Sequence, residues 1–175
     1  MDRKLKLYKK DLTLIIPCHN LERYLTPLLS TLQNQELHDL KVEILFICDN
    51  CTDNTIYILD DWRNKTPQYE VYIFETSYSR AGLARNFGLE RAQGEYLWFI
   101  DGDDWLIGED AILTAYYNID SRPNLSFLRF NFLSTWCPKP EFENTVVWRF
   151  IFRTDFVRQF KFNDKLNNED VDFLN

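Results

Sequence analysis

Glycine is scarce in this chain, with five in 175 residues, and neither G-x-G-x-x-G nor G-x-x-x-x-G-K-[ST] occurs. Phosphates therefore have no glycine-rich loop to cradle them. This excludes a dinucleotide fingerprint and a P-loop, and leaves a metal ion with arginine as the means of neutralising a pyrophosphate. Basic excess is lacking as well. Lys and Arg number 20 against 27 Asp and Glu, a formal net charge of -7, whereas a general nucleic-acid binder needs clustered cations. No apolar run has the length of a transmembrane helix, and Leu12 to Ile16 is too short for a signal-peptide core and is stopped by Pro17. Linkers rich in Pro, Gly or Ser, low-complexity tracts and internal repeats are missing too. One domain, residues 1–175, is the expectation, long enough to bury roughly 70% of its unfolded surface.

These absences also bear on location. A chain without leader or span is expected to be cytoplasmic, and its four cysteines, Cys18, Cys48, Cys51 and Cys137, then read as reduced thiols. Cys48 and Cys51 have C-x-x-C spacing, but no second ligand pair with metal spacing follows. The basic lead-in of Arg3, Lys4, Lys6, Lys9 and Lys10 could touch the inner face of an anionic membrane; solvated residues ahead of a first strand are the plainer reading.

What the sequence does contain is a repeated alternation of short apolar runs and amphipathic stretches, the pattern of a mostly parallel sheet with helical crossovers. Strands are predicted at Leu12–Ile16, Val42–Cys48, Val71–Phe74 and Tyr96–Ile100. Tyr24, Leu25, Leu28, Leu29 and Leu32 form one helical face, and Ile56, Leu59 and Trp62 another, opened by Thr52 or Asp53 as a cap. A third helix is predicted from Arg80 to Gln93, with Gly94 as its C-terminal stop. Glu109 to Asp120 reads as a fourth helix, Leu125 to Asn131 as a strand, and Ser134 to Glu143 as a loop. Asn168-Glu169-Asp170 ahead of Val171, Phe173 and Leu174 has the form of a capped helix start.

The run Tyr96-Leu97-Trp98-Phe99-Ile100 ends in Asp101-Gly102-Asp103-Asp104-Trp105, which puts three carboxylates within four residues at a strand end. That is where an α/β sheet keeps its ligand site. Crowded carboxylates repel one another and are costly to desolvate, so a divalent cation would give the arrangement a physical reason. On those four residues alone, an acidic turn in solvent is an equally good reading. Arg85, in Ala84-Arg85-Asn86 at the front of the third helix, is the nearest cation for a bound anion; taken alone it reads as a solvated helix residue.

Together the segments resemble the family-2 inverting glycosyltransferases of the A-type (GT-A) fold. Four blocks stand in that family's order. Leu14-Ile15-Ile16-Pro17-Cys18-His19-Asn20 is similar to its first strand, with His19 in place of an aromatic residue. Cys48-Asp49-Asn50-Cys51-Thr52-Asp53-Asn54-Thr55 resembles its paired-Asp block, with Cys48 for the first acid and Asn50-Cys51 for the usual Gly-Ser. Gly82-Leu83-Ala84-Arg85-Asn86-Phe87-Gly88-Leu89 matches closely and leads into the acidic strand end, and Asn168-Glu169-Asp170-Val171-Asp172-Phe173 resembles the Glu-Asp motif.

The resemblance implies a Rossmann-like α/β sheet with helices on both faces. It also implies transfer of a sugar from a nucleotide-sugar donor, a UDP-sugar, to a saccharide or glycolipid acceptor with inversion, assisted by Mn²⁺ or Mg²⁺. It assigns the donor side to Pro17, Asn20, Asp49, Arg85 and Asp101, with Asp49 accepting from the uracil imide. Asp103 becomes the direct metal ligand, with Asp101 second, and Asp170 the base that deprotonates the acceptor. Family members usually continue past the Glu-Asp motif, so the chain is expected to be cut short on its acceptor side. Two other classes stay open: a module that binds nucleotide sugar without transfer, and a haloacid-dehalogenase-type phosphatase, whose first strand also ends in D-x-D.

Overall fold

The computed structural model describes residues 8–130, 147–164 and 173. Within them the chain alternates strand and helix as the periodicity requires: β1 (Lys10–Cys18), α1 (Leu25–Gln33), β2 (Val42–Asp49), α2 (Thr55–Arg63), β3 (Glu70–Thr76), α3 (Ala81–Arg91), β4 (Gly94–Phe99) and α4 (Ala111–Asp120). Then follow β5 (Phe127–Arg129), a 3₁₀ turn (Val147–Arg149), β6 (Phe150–Arg153) and the short α5 (Thr154–Val157). The six strands lie in the order β3-β2-β1-β4-β6-β5. β1 to β4 are parallel, and β6 runs antiparallel to both β4 and β5. The strand order reverses at β1, because β2 and β3 build outward on one side of it and β4 returns to the other.

Alternation along β1 explains why the sheet is covered twice. Leu12, Leu14 and Ile16 pack with Leu25, Leu28 and Leu32 of α1, Leu59 of α2 and Ile112 of α4. Ile15 points the other way and joins Leu45, Leu97 and Phe99 under Ala84 and Leu89 of α3 and Val157 of α5. Central parallel strands buried on both faces read as continuous apolar runs, and β2 is buried at every position. The expected α/β sheet with helices on both faces is what the chain forms.

Two expectations need correction, and one strand is new. Gly94 does not stop α3, which closes at Ala92 in extended geometry (φ -54°, ψ 132°); it opens β4. A Cβ at Gly94 would lie 2.5 Å from the Thr13 backbone nitrogen and 2.6 Å from the Tyr96 carbonyl oxygen, so glycine is there for close strand contact. The strand predicted over Leu125–Asn131 is only Phe127–Arg129, and Asn131 lies outside the described residues. β6, which the periodicity did not announce, pairs with the central β4 through Trp98↔Ile151. Buried Arg149 interrupts the apolar run Val147–Phe152 that could have signalled it.

Candidate active site at the C-terminal edge of the sheet

The loops that leave β1, β2 and β3 meet at one edge of the sheet, and side chains lace them together. Asn20 Oδ1 accepts from the backbone N–H of Thr52 at 2.7 Å, and His19 Nδ1 lies 2.7 Å from the Asp49 carbonyl oxygen. Asp53, expected as a cap, accepts from Thr55 N–H at the mouth of α2 and from Glu22 N–H, both at 3.0 Å. Asn50 Nδ2 donates to Ser79 Oγ at 2.7 Å. Asn20, Asn50 and Ser79 all have left-handed backbone, with φ of 52°, 52° and 56°. In a chain poor in glycine, asparagine twice supplies the conformation that glycine usually provides, so Asn50 can stand where the resembled family has Gly.

Asp49 ends β2 and is 5% exposed. Its Oδ1 accepts from the Thr76 hydroxyl at 3.0 Å and from Tyr78 N–H at 2.6 Å, and its Oδ2 accepts from Arg80 N–H at 3.0 Å. One carboxylate therefore shapes the whole turn from β3 into α3, and an acceptor position is left on Oδ2. Thr76, Tyr78 and Arg80 were not legible as partners, since nothing local in the sequence couples them to Asp49. The neighbouring thiols of Cys18, Cys48 and Cys51 are free. Hydrogen bonding to Cys18 leads the causes that push Cys48 upward, and bonding to Cys48 leads those that push Cys51 upward. Both stay protonated at neutral pH, which suits packing better than thiolate ligation.

Across β1, the end of β4 carries the acidic residues. Gly102 packs so tightly beneath them that a Cβ there would lie 2.3 Å from Leu21 Cδ1 and 3.3 Å from the Pro17 carbonyl oxygen. This seats the acidic turn against the Pro17 end of β1. Arg85 reaches from α3 to pair with Asp101, Nη2 to Oδ1 at 2.7 Å, with the two side chains 5% and 30% exposed. Arg85 is thus a buried partner of the acidic loop, not the solvated helix residue it would be in isolation. Asp103 is exposed. Asp104 is pushed up to about 7 by burial and by the charges of Asp101 and Asp103.

No group of three His, Cys, Asp or Glu side chains is arranged to enclose an ion among the described residues. The donor set fits a hard cation that takes one or two carboxylates and completes its shell with water and substrate phosphate, as Mg²⁺ commonly does. Asp103 and Asp101 carry the oxygens that would hold it. Asp170 lies outside the described residues, as do Cys137, the whole loop predicted over Ser134–Glu143 and, apart from Phe173, the helix start predicted at Asn168. Phe173, three positions after Asp170, is buried against Phe162.

Residues 13–155 match the sequence profile described as Glycosyl transferase family 2. The chain belongs to that family. It is 35% identical over 94 residues to the poly(ribitol-phosphate) beta-N-acetylglucosaminyltransferase TarS of Staphylococcus aureus, covering 54% of this chain and 16% of that protein. It is 33% identical over 161 residues to the abequosyltransferase RfbV of Salmonella typhimurium, covering 88% and 44%. The crystal structure of TarS 1-349 in complex with UDP-GlcNAc superposes with a TM-score of 0.80 at 26% identity over 93% of this chain and 52% of that one. A mannosyltransferase from Pyrobaculum calidifontis, solved with GDP-Man and Mn²⁺, shares the fold with a TM-score of 0.75 at 18% identity, over 96% and 52%. The chain thus spans about half the length of these solved relatives and less of the curated ones. Family membership sets aside the phosphatase alternative. No helix among the described residues is long and apolar enough to cross a membrane.

Proposed function

We propose that the chain is the donor-binding and catalytic part of an inverting, metal-assisted transferase that moves a sugar from a UDP-sugar to a hydroxyl of a cell-surface polysaccharide or glycoconjugate. The observation that carries this is the pairing of two acidic stations on either side of β1, where the strand order reverses: Asp49, and the Arg85-held turn from Asp101 to Asp104. Ligands of open α/β sheets bind in that crevice. The UDP-GlcNAc and UDP complexes of TarS support the choice of nucleotide, and the polymer-directed TarS and the minor teichoic acid biosynthesis protein GgaB support the acceptor class.

In this reading the remaining acceptor position of Asp49 takes the uracil imide, and Pro17 and Asn20 wall the donor. Arg85 holds Asp101 toward the ribose and phosphates, leaving Asp103 to bind Mn²⁺ or Mg²⁺. Bound there, the cation would neutralise the departing diphosphate as a Lewis acid. Asp170 takes the acceptor proton while the hydroxyl attacks the anomeric carbon from the face opposite the nucleotide, which inverts that centre without a covalent intermediate. Asp170→Asn keeps the shape and removes the base. Transfer should fall by about 10² to 10⁴ while donor affinity survives, followed by product formation and nucleotide release together. Normal transfer by folded Asp170→Asn protein would remove the base assignment, and donor binding without transfer by the parent chain would favour a binding module.

A further inference from the structure

We infer that Phe162, locked in place by Asn86, is a positioning residue for the donor side, its ring holding the Arg85 guanidinium in the orientation that meets Asp101; this rests on the reading of Arg85 and Asp101 as donor-side groups. Residues 158–164 follow α5 and run along α3 in the opposite direction. At the C-terminal end of that helix Arg158 Nε donates to the Leu89 carbonyl oxygen at 3.4 Å and Lys161 pairs with Glu90 at 3.1 Å. At its N-terminal end Arg80 Nε donates to the Asp164 carbonyl oxygen at 3.1 Å. Between these ties one side-chain amide grips one residue twice: Asn86 Nδ2 donates to the Phe162 carbonyl oxygen at 2.8 Å, and Asn86 Oδ1 accepts from the Phe162 N–H at 3.0 Å. An amide that satisfies both backbone groups of a residue imitates strand pairing, and it fixes orientation as well as distance.

The ring of Phe162 is fixed as firmly as its backbone. It is 3% exposed, stacked on Phe173 with centroids 3.9 Å apart, and met edge-on by Phe99 at 5.3 Å. The Arg85 guanidinium carbon lies over this ring, 5.6 Å from its centroid. Arg85 is itself 4% exposed, and its Nη2 donates to Asp101 Oδ1 at 2.7 Å. A buried guanidinium needs its charge shared, which a carboxylate and an aromatic face can do together. Its planar fork also meets a carboxylate in a definite orientation, so a ring that cannot move limits the orientations open to it. Phe99 belongs to β4, the strand that delivers Asp101 two positions later. One aromatic contact therefore sets the α3 cation and the β4 carboxylate in common register. Removing the ring should loosen that pair without opening the sheet, and donor affinity should fall through Arg85.

The test is calorimetric titration of UDP in Mn²⁺ on the parent chain, Phe162→Leu, Arg85→Ala and the double variant, beside nuclear magnetic resonance of the Arg85 side chain in the metal-free protein. Arg85→Ala should weaken UDP at least about tenfold, and Phe162→Leu, which keeps an apolar side chain but loses the ring, about fivefold. The double variant should match Arg85→Ala within about twofold, because Phe162 acts through Arg85. The Arg85 guanidinium N–H signals should be sharp and slow to exchange in the parent chain and broadened in Phe162→Leu, while the amides of β1 and β2 exchange as before. Asn86→Ala, which leaves the ring but frees its backbone, should reproduce both changes at smaller amplitude and carries the test if Phe162→Leu folds poorly. Unchanged UDP affinity in Phe162→Leu and Asn86→Ala beside a weakened Arg85→Ala, losses that add in the double variant, or Arg85 signals that stay sharp without the ring would overturn the positioning role. Unchanged affinity in Arg85→Ala would instead overturn the donor-side reading of Arg85, and with it the inference.

Discussion

β2 buries a carboxylate at each end, and the two differ in what surrounds them. At the N-terminal end Glu43 is 0% exposed and accepts from the Thr13 hydroxyl at 2.5 Å and from the Gln93 N–H. Thr13 in turn accepts from Gly94 N–H at 2.9 Å, and Thr154 donates to the Gly94 carbonyl at 2.7 Å. That network ties β1, β2, β4 and α5 together beneath the sheet. At the C-terminal end Asp49 binds no strand interior; it organises the turn from β3 into α3 and keeps an acceptor free. The same chemical group on the same strand locks the strands together at one edge and shapes a loop at the other. The parallel topology decides which, because the crevice opens only beyond the strands' carboxyl ends.

Substitution at each end should separate the two roles. Glu43→Ala leaves the buried Thr13 hydroxyl without its acceptor and frees the half-buried Gln93 N–H, so it should cost about 3 kcal/mol of stability by denaturant titration and leave the UDP affinity of the folded fraction unchanged. Asp49→Ala should weaken UDP binding by roughly 1.5 to 3 kcal/mol by titration calorimetry. Unchanged affinity in a folded variant would reduce Asp49 to a loop organiser and erase the contrast with Glu43.

A smaller effect sharpens the comparison within the site edge. Asp104 holds its proton more tightly when folded than when unfolded, so the folded state binds more protons between the unfolded pKa near 4 and the folded value of about 7. Its contribution therefore favours the folded state at low pH and is lost as pH rises through that window. Between pH 5 and pH 8 the metal-free chain should lose about 2 kcal/mol from this group after allowance for screening. Asp104→Asn should flatten that part of the thermal-shift profile, and Mn²⁺ should raise stability most above pH 7. A parent profile matching that of Asp104→Asn would mean that the acidic turn is relaxed in solvent.

The contrast between the edges also explains what could be read in advance. The central strands were legible because burial on both faces leaves an uninterrupted apolar run, as in β2. The acidic turn was legible because three carboxylates at a strand end are conspicuous without any knowledge of partners. Partnership across the fold was not. Asp49 with Tyr78 and Arg80, Arg85 with Asp101, and Asn86 with Phe162 join residues that only the crossover topology brings together. Gly94 was misread for a related reason. A glycine after a helix has the local form of a stop, and only the approach of β1 shows that the missing Cβ serves sheet contact. β6 escaped because its pairing partner, β4, lies more than fifty positions earlier and Arg149 breaks the pattern at its start.

Calorimetric titration of UDP in Mn²⁺ and in EDTA, on the parent chain and on Asp103→Asn, reads whether the acidic end of β4 becomes a donor site when a divalent cation joins it. Crowded carboxylates should repel a pyrophosphate without the cation, so binding should be tight in Mn²⁺, at least about tenfold weaker in EDTA, and comparably weakened in Asp103→Asn even with Mn²⁺ present. Equal affinity in both media, with no change in Asp103→Asn, would contradict it.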